Sequence, residues 1–127
     1  MKFYIASGFE NKELVQHVRD RLVEAGHSHT YDWTKNSRAV TEEDLREIGH
    51  AELDAVKESD VVVVLLPGGK GTHTELGIAL GTNKEIHLFS REPINLPTAT
   101  TFYYVDGISH YVGEIDMFID DLIKQYS

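Results

Sequence analysis

The run Val61-Val62-Val63-Val64-Leu65-Leu66 constrains the fold more than any other stretch. It is apolar throughout, with no polar–apolar alternation, and reads as a strand buried on both faces. Such strands sit inside parallel sheets that carry helices on either side. The residues after it agree. Pro67-Gly68-Gly69-Lys70-Gly71 is a turn, and a helix is expected over Thr72–Gly81. A strand, a glycine-rich turn and a helix in that order aim backbone N–H groups and the positive helix end above the sheet edge.

The rest of the chain repeats the alternation. Lys2–Ala6 is a short apolar strand, followed by a turn at Ser7-Gly8. Asn11–Ala25 has Leu14, Val15, Val18 and Leu22 on one helical face, with Gly26 as its stop. Ser28–Trp33 is expected as the second strand, and Thr41 caps a helix that runs to Ser59. Ile86–Phe89 and Phe102–Val105 are expected as the fourth and fifth strands. Tyr111–Tyr126 is the closing helix, with Ile115, Phe118, Ile119 and Leu122 facing inward. Arg91–Thr101, with two of the three prolines, reads as a loop over the sheet edge. The expected fold is α/β: a flavodoxin-like (Rossmann-like) three-layer sandwich with a five-stranded parallel sheet in the order 2-1-3-4-5. Its ligand crevice lies where strands 1 and 3 diverge, between Ser7-Gly8-Phe9 and Pro67–Thr72.

Bulk properties narrow the partners. The 127 residues fit one domain, 1–127, with a substantial core. A net charge of −9, from 21 acidic and 12 basic residues, supplies no basic face for a nucleic-acid polymer or an anionic membrane. A single nucleotide remains compatible, since one or two cations and a few N–H groups hold one phosphate. With no cysteine there is no disulfide, thiolate catalysis or Cys-ligated zinc. No apolar run is long enough to span a bilayer and no secretory signal precedes the first strand, so a cytoplasmic protein is expected.

Two carboxylates stand out. On the Thr41–Ser59 helix, placing residues at about 100° intervals puts Leu45, Ile48, Glu52 and Val56 on one stripe. Three are apolar and one is charged, whereas Asp54 falls on the solvated side. A carboxylate on a buried stripe is costly unless paired or hydrogen-bonded. Helical side chains lean toward the helix N-terminus, here toward the crevice, so Glu52 is expected to reach toward Glu75. The alternative is that Glu52 snorkels outward or pairs with a base. Glu75 has two readings as well. Thr72-His73-Thr74-Glu75 has the form of a capping box, and Glu75 is equally placed to act in the crevice. If the two carboxyls share one pocket, repulsion raises one pKa and leaves an acid beside an anion, as in glycoside cleavage. His50 and His73 bracket this region. Among the seven histidines only His27 and His29 have a ligand-like spacing, and no third ligand lies near them. No metal or cofactor is expected.

The run Gly71-Thr72-His73-Thr74-Glu75-Leu76-Gly77-Ile78-Ala79-Leu80-Gly81, behind its strand and glycine-rich loop, resembles the nucleoside 2-deoxyribosyltransferase superfamily. That group includes the 2'-deoxynucleoside 5'-phosphate N-hydrolases and pyrimidine-nucleotide N-glycosidases. Lys2–Ser7 and Ser59–Val64 are similar to it too. The resemblance implies that Glu75 is the nucleophile that displaces the base from C1' of the sugar, through a covalent glycosyl-enzyme resolved by water or another base. It implies a proton-donating aspartate eight residues before Asp60, where this chain has Glu52. Tyr4 matches a tyrosine of the sugar pocket. The transferases carry Asp, and the phosphate-specific hydrolases Ser, where Gly69 stands here. An Arg-rich turn of those hydrolases is replaced by Phe9-Glu10-Asn11-Lys12.

Ser7, Gly8, Gly69, Lys70, Gly71 and His73 are the remaining candidate substrate contacts. Lys70 and the Gly68–Gly71 amides suit a phosphate, and Trp33 is a candidate to stack on the base. A homodimer or higher homo-oligomer, with a neighbour completing the site, is implied by the resemblance. Competing readings are a non-catalytic nucleotide-binding module on the same fold and a glycohydrolase acting on NAD. A phosphoreceiver is disfavoured because Leu66-Pro67 stands where its acceptor aspartate is needed.

Overall fold

The computed structural model describes all residues, Met1–Ser127. Five parallel strands form one sheet in the order β2-β1-β3-β4-β5. They are β1 (Lys2–Ser7), β2 (Ser28–His29), β3 (Val61–Leu65), β4 (Glu85–Ser90) and β5 (Ile108–Val112). The helices are α1 (Lys12–Glu24), α2 (Glu42–Glu58), α3 (Lys70–Gly81) and α4 (Ile115–Gln125). This is the expected fold class and strand order. β3 is central and buried at every position, with Val62 opposite Tyr4 of β1 and Ile86 of β4.

The first crossover runs from β1 to β2 and the later ones run the opposite way. Right-handed connections therefore put α1 on one face of the sheet and α2 and α3 on the other. α4 returns to pack on α1, and Arg21 of α1 pairs with Asp120 of α4 at 2.6 Å. Val15, Val18 and Leu22 of α1 and Phe118, Ile119 and Leu122 of α4 are buried, as their spacing requires. Leu14 and Ile115 pack at the edge of this core, partly buried. No helix is long and apolar enough to cross a membrane.

Four elements differ from the sequence expectation by two residues or more. β2 ends at His29, because the Asp32 carboxylate accepts the Thr34 N–H at 3.0 Å and turns the chain into a 3₁₀ segment at Trp33–Lys35. The fifth strand is not Phe102–Val105. That stretch opens as a 3₁₀ turn, Thr101–Tyr104, whose Thr100 hydroxyl accepts the Phe102 N–H, and β5 comes after it at Ile108–Val112. β5 is an edge strand with no fully buried residue, so Ser109 and His110 are tolerated in it. Tyr111 and Val112 belong to that strand, and Gly113, at φ +141°, separates it from α4.

Finally, α3 begins at Lys70 with Gly69 as its N-cap, before the expected Thr72. Thr72 is then the third helical residue, and its hydroxyl accepts the Gly69 N–H at 3.1 Å. Glu75 is the sixth helical residue, in the second turn rather than the first. It is too far along to cap the helix start, which rules out the capping-box reading.

Candidate active site

Tyr4 is wholly buried in the middle of β1, facing the layer built by α2 and α3. Its hydroxyl is 2.7 Å from Glu75 Oε2 and 3.5 Å from Glu52 Oε2. One O–H donates one good hydrogen bond, and the shorter contact takes it, so Tyr4 donates to Glu75. Legs of 2.7 and 3.5 Å bring the two carboxyl oxygens within roughly 6 Å of each other. The stripe on α2 is thus only partly apolar packing. Val56 is buried and Ile48 half-buried, Leu45 at the far end is 63% exposed, and Glu52 turns in to meet α3.

Burial dominates the electrostatics. Glu75 is 7% exposed, and desolvation pushes its carboxyl up to about 8 against the lowering effect of the Tyr4 hydrogen bond. Glu52 is half-buried, and desolvation raises it too. Two interacting carboxyls are both disfavoured as anions, and the pair holds at least one proton near neutral pH. Tyr4 is raised by its burial and then by the neighbouring carboxylates, so it stays an O–H donor wherever those carboxyls titrate.

A cavity of about 250 Å³ opens onto the pair at the carboxyl ends of β1 and β3. Ser7, Gly8, Trp33, Gly69, Lys70 and Gly71 line it with Glu52 and Glu75, so nearly all the expected contacts come together. Not all are free. The Ser7 hydroxyl donates to the Leu65 carbonyl at 2.7 Å and accepts from Asn11 at 3.0 Å. The Trp33 indole N–H donates to the Ile5 carbonyl at 2.7 Å, and the ring is 6% exposed. His73 lies outside the cavity lining, with its ring nitrogens against the Gly69 carbonyl and the Tyr103 hydroxyl. Lys70 is exposed and has no carboxylate within ion-pair distance.

Phe9 and Thr72 also line the cavity, in the two loops that the strand order assigns to the crevice, though neither is among the candidate contacts. Phe9 is 67% exposed and meets Trp33 edge-on, with centroids 5.7 Å apart. Its place directly after the Ser7-Gly8 turn was the available signal. Thr72 seals the loop: a Cβ on Gly68 would lie 2.4 Å from the Thr72 methyl, so only glycine fits there. Larger cavities, about 420 and 560 Å³, flank Pro67 and Arg91, but neither reaches Glu52 or Glu75.

Residues 3–121 match the family model for nucleoside 2-deoxyribosyltransferase. The chain belongs to that family. No curated protein matches it significantly. Solved structures share the family fold at low identity. A CMP N-glycosidase of Clostridium botulinum is 18% identical with a TM-score of 0.67, over 96% of this chain and 98% of its own. A 2-deoxyribosyltransferase of Bacillus psychrosaccharolyticus is 22% identical with a TM-score of 0.69, over 94% and 91%. A conserved protein of Enterococcus faecalis is 19% identical with a TM-score of 0.63, over 100% and 99%. The match covers β1, α2, β3 and α3, the elements that carry Tyr4 and both carboxyls.

Proposed function

We propose that this chain cleaves the N-glycosidic bond of a nucleoside or nucleotide, with Glu75 as nucleophile and Glu52 as acid and base. The observation that carries the reading is the buried Tyr4 hydroxyl, 2.7 Å from one carboxyl and 3.5 Å from the other, in a member of a nucleoside-processing family. The two contacts to Tyr4 cap the distance between these carboxyl oxygens at roughly 6 Å, below the about 6.5–9.5 Å that inverting pairs leave for a water. That favours a covalent intermediate over direct attack by water.

The reactive form has the shared proton on Glu52 and the charge on Glu75. Positive charge growing at C1' of the sugar favours that arrangement, because it stabilises the adjacent anion. Glu75 attacks C1', and the C1'–N bond breaks with its electrons passing to the base. The base takes the Glu52 proton as it leaves. A glycosyl ester on Glu75 remains, with Glu52 ionised. Water, or the nitrogen of another base, then attacks C1' while Glu52 accepts its proton, and Glu75 departs as the carboxylate.

The sugar occupies the cavity, whose 250 Å³ is below the roughly 300–1,000 Å³ of sites that enclose a whole ligand. The base therefore extends toward the mouth, where the exposed Phe9 ring offers it a face and Trp33 supports Phe9 from below. When the substrate carries a 5'-phosphate, unpaired Lys70 and the glycine-rich rim receive it. A second copy of the chain closes the open mouth in this reading.

Incubating the protein with nucleosides, mononucleotides and NAD, with and without an acceptor base, tests the proposal. Free base from the wild type and none from Glu75→Gln is expected. Free base without exchange product assigns hydrolysis. Binding with no turnover of any substrate would refute the enzymatic reading in favour of a nucleotide-binding module.

A further inference from the structure

His73 stands next to the nucleophile helix start and yet faces away from the cavity. Its Nδ1 is 2.7 Å from the Gly69 carbonyl oxygen, and its Nε2 is 2.6 Å from the Tyr103 hydroxyl. A carbonyl oxygen only accepts, so Nδ1 carries a hydrogen. In the neutral ring Nε2 then has only a lone pair, and the Tyr103 O–H donates to it. The two protein contacts thus select one tautomer of the imidazole.

Tyr103 is itself held. It is 8% exposed, in the 3₁₀ turn that precedes β5. Its carbonyl oxygen lies 2.6 Å from Nε2 of His110 on β5. The His110 ring stacks on Tyr104 at 5.0 Å. A continuous chain of hydrogen bonds therefore runs from β5 through Tyr103 and His73 to Gly69.

Gly69 is where that chain ends and the cavity wall begins. As the N-cap of α3 it has no side chain to fix its own geometry. Its N–H goes to Thr72, and its carbonyl accepts the His73 backbone N–H at 3.2 Å as well as the His73 ring. Gly69, Lys70 and Gly71 line the cavity beside Glu75. Three of the four residues Gly68–Gly71 are glycine, so this wall has the largest conformational freedom to lose on ordering.

We propose that His73 is a positioning residue: locked by Tyr103 as the Nδ1–H tautomer, it holds the Gly69 wall in the shape that receives substrate. This rests on the N-glycosidase reading for its kinetic consequence, but not for its structural one. A wall touches the substrate in the ground state and the transition state alike, so loosening it raises KM and leaves kcat nearly unchanged. That separates His73 from Glu75, whose loss removes kcat.

The test combines turnover and spectroscopy. With CMP, deoxycytidine 5'-monophosphate and deoxycytidine as substrates, His73→Leu is expected to raise KM about tenfold, the loss of two ordinary hydrogen bonds, with kcat within about twofold of wild type. His73→Asn, whose amide keeps a donor at the Nδ1 position, is expected to recover most of that loss. Tyr103→Phe keeps the Gly69 bond and is expected to fall between. In parallel, ¹⁵N–¹H correlation spectra of the unliganded wild type, recorded on the alkaline side of the ring's titration, are expected to show Nδ1 protonated and Nε2 bare. A protonated Nε2 with a bare Nδ1 overturns the proposal, as does an unchanged KM in folded His73→Leu, or a loss confined to kcat. If the wild type turns over none of the three substrates while the Nδ1–H tautomer is seen, the N-glycosidase reading fails for them and the clamp stands.

Discussion

Replacing Glu75 by Gln is expected to stabilise the fold by an amount that grows as pH rises from 4.5 to about 8. The carboxyl goes from an ordinary value of 4.5 in the unfolded chain to about 8 in the folded one. The folded state therefore holds a proton that the unfolded state has released. Stability from this group is full below pH 4.5 and is lost as pH rises through 8. Each pH unit of that interval is worth about 1.4 kcal/mol, which gives on the order of 5 kcal/mol at the limit. Water entering through the open mouth, and the proton shared with Glu52, reduce the net effect to roughly 2–3 kcal/mol. Glutamine is neutral at every pH, and its carbonyl still accepts the Tyr4 O–H. Thermal melts of both proteins at pH 5 and pH 8.5 make the comparison, and groups that titrate equally in both cancel. At roughly 3–5 °C per kcal/mol for a chain of this size, the variant should melt about 10 °C above the wild type at pH 8.5 and within about 2 °C of it at pH 5. An equal difference at both pH values, or a variant less stable at pH 8.5, would mean that Glu75 is not held protonated in a desolvated site.

Three further substitutions probe the same geometry. Tyr4→Phe removes the donor to Glu75, a charge-assisted hydrogen bond worth about 1.5–3 kcal/mol. Steady-state kinetics should therefore show kcat lower by about 10- to 100-fold, with the rise of activity with pH displaced upward. Glu52→Gln cannot deliver a proton, so kcat should fall about 10²–10⁴-fold for ordinary bases, and the deficit should shrink for bases that leave without protonation. Gly68→Ala forces a methyl against Thr72, which the 2.4 Å approach cannot accommodate, and a denaturant titration should show a loss of about 1–3 kcal/mol.

Much of this architecture was legible in the chain. The apolar run Val61–Leu65 marked the central strand, helix–strand alternation on both sides of it required a parallel sheet, and the count of five strands suggested the 2-1-3-4-5 order seen here. Glu52 was legible for the opposite reason: a carboxylate on an otherwise apolar stripe needs a polar destination, and Tyr4 and Glu75 provide it. What could not be read has physical causes. β5 lies at the sheet edge, where burial does not enforce an apolar pattern, so the more hydrophobic Phe102–Val105 drew the assignment instead. The start of α3 was hidden because Gly69 caps it without a side chain, which left Thr72 as the visible signal. Exposure could not be read either: Trp33 lines the cavity but is 6% exposed with its N–H bonded to Ile5, whereas Phe9, on the turn after β1, is 67% exposed.

The decisive experiment is to look for the sugar on the protein. Fluorine at C2' of the sugar opposes positive charge at C1' and slows both formation and release of a glycosyl ester, so in a nucleotide whose base leaves readily, formation outruns release and the ester accumulates. After incubation with such a nucleotide, denaturation and peptide mapping by mass spectrometry, one sugar is expected on the peptide bearing Glu75, and none in Glu75→Gln. Base released by the wild type with no sugar on any peptide, or with the sugar on a different residue, would rule out Glu75 as the nucleophile.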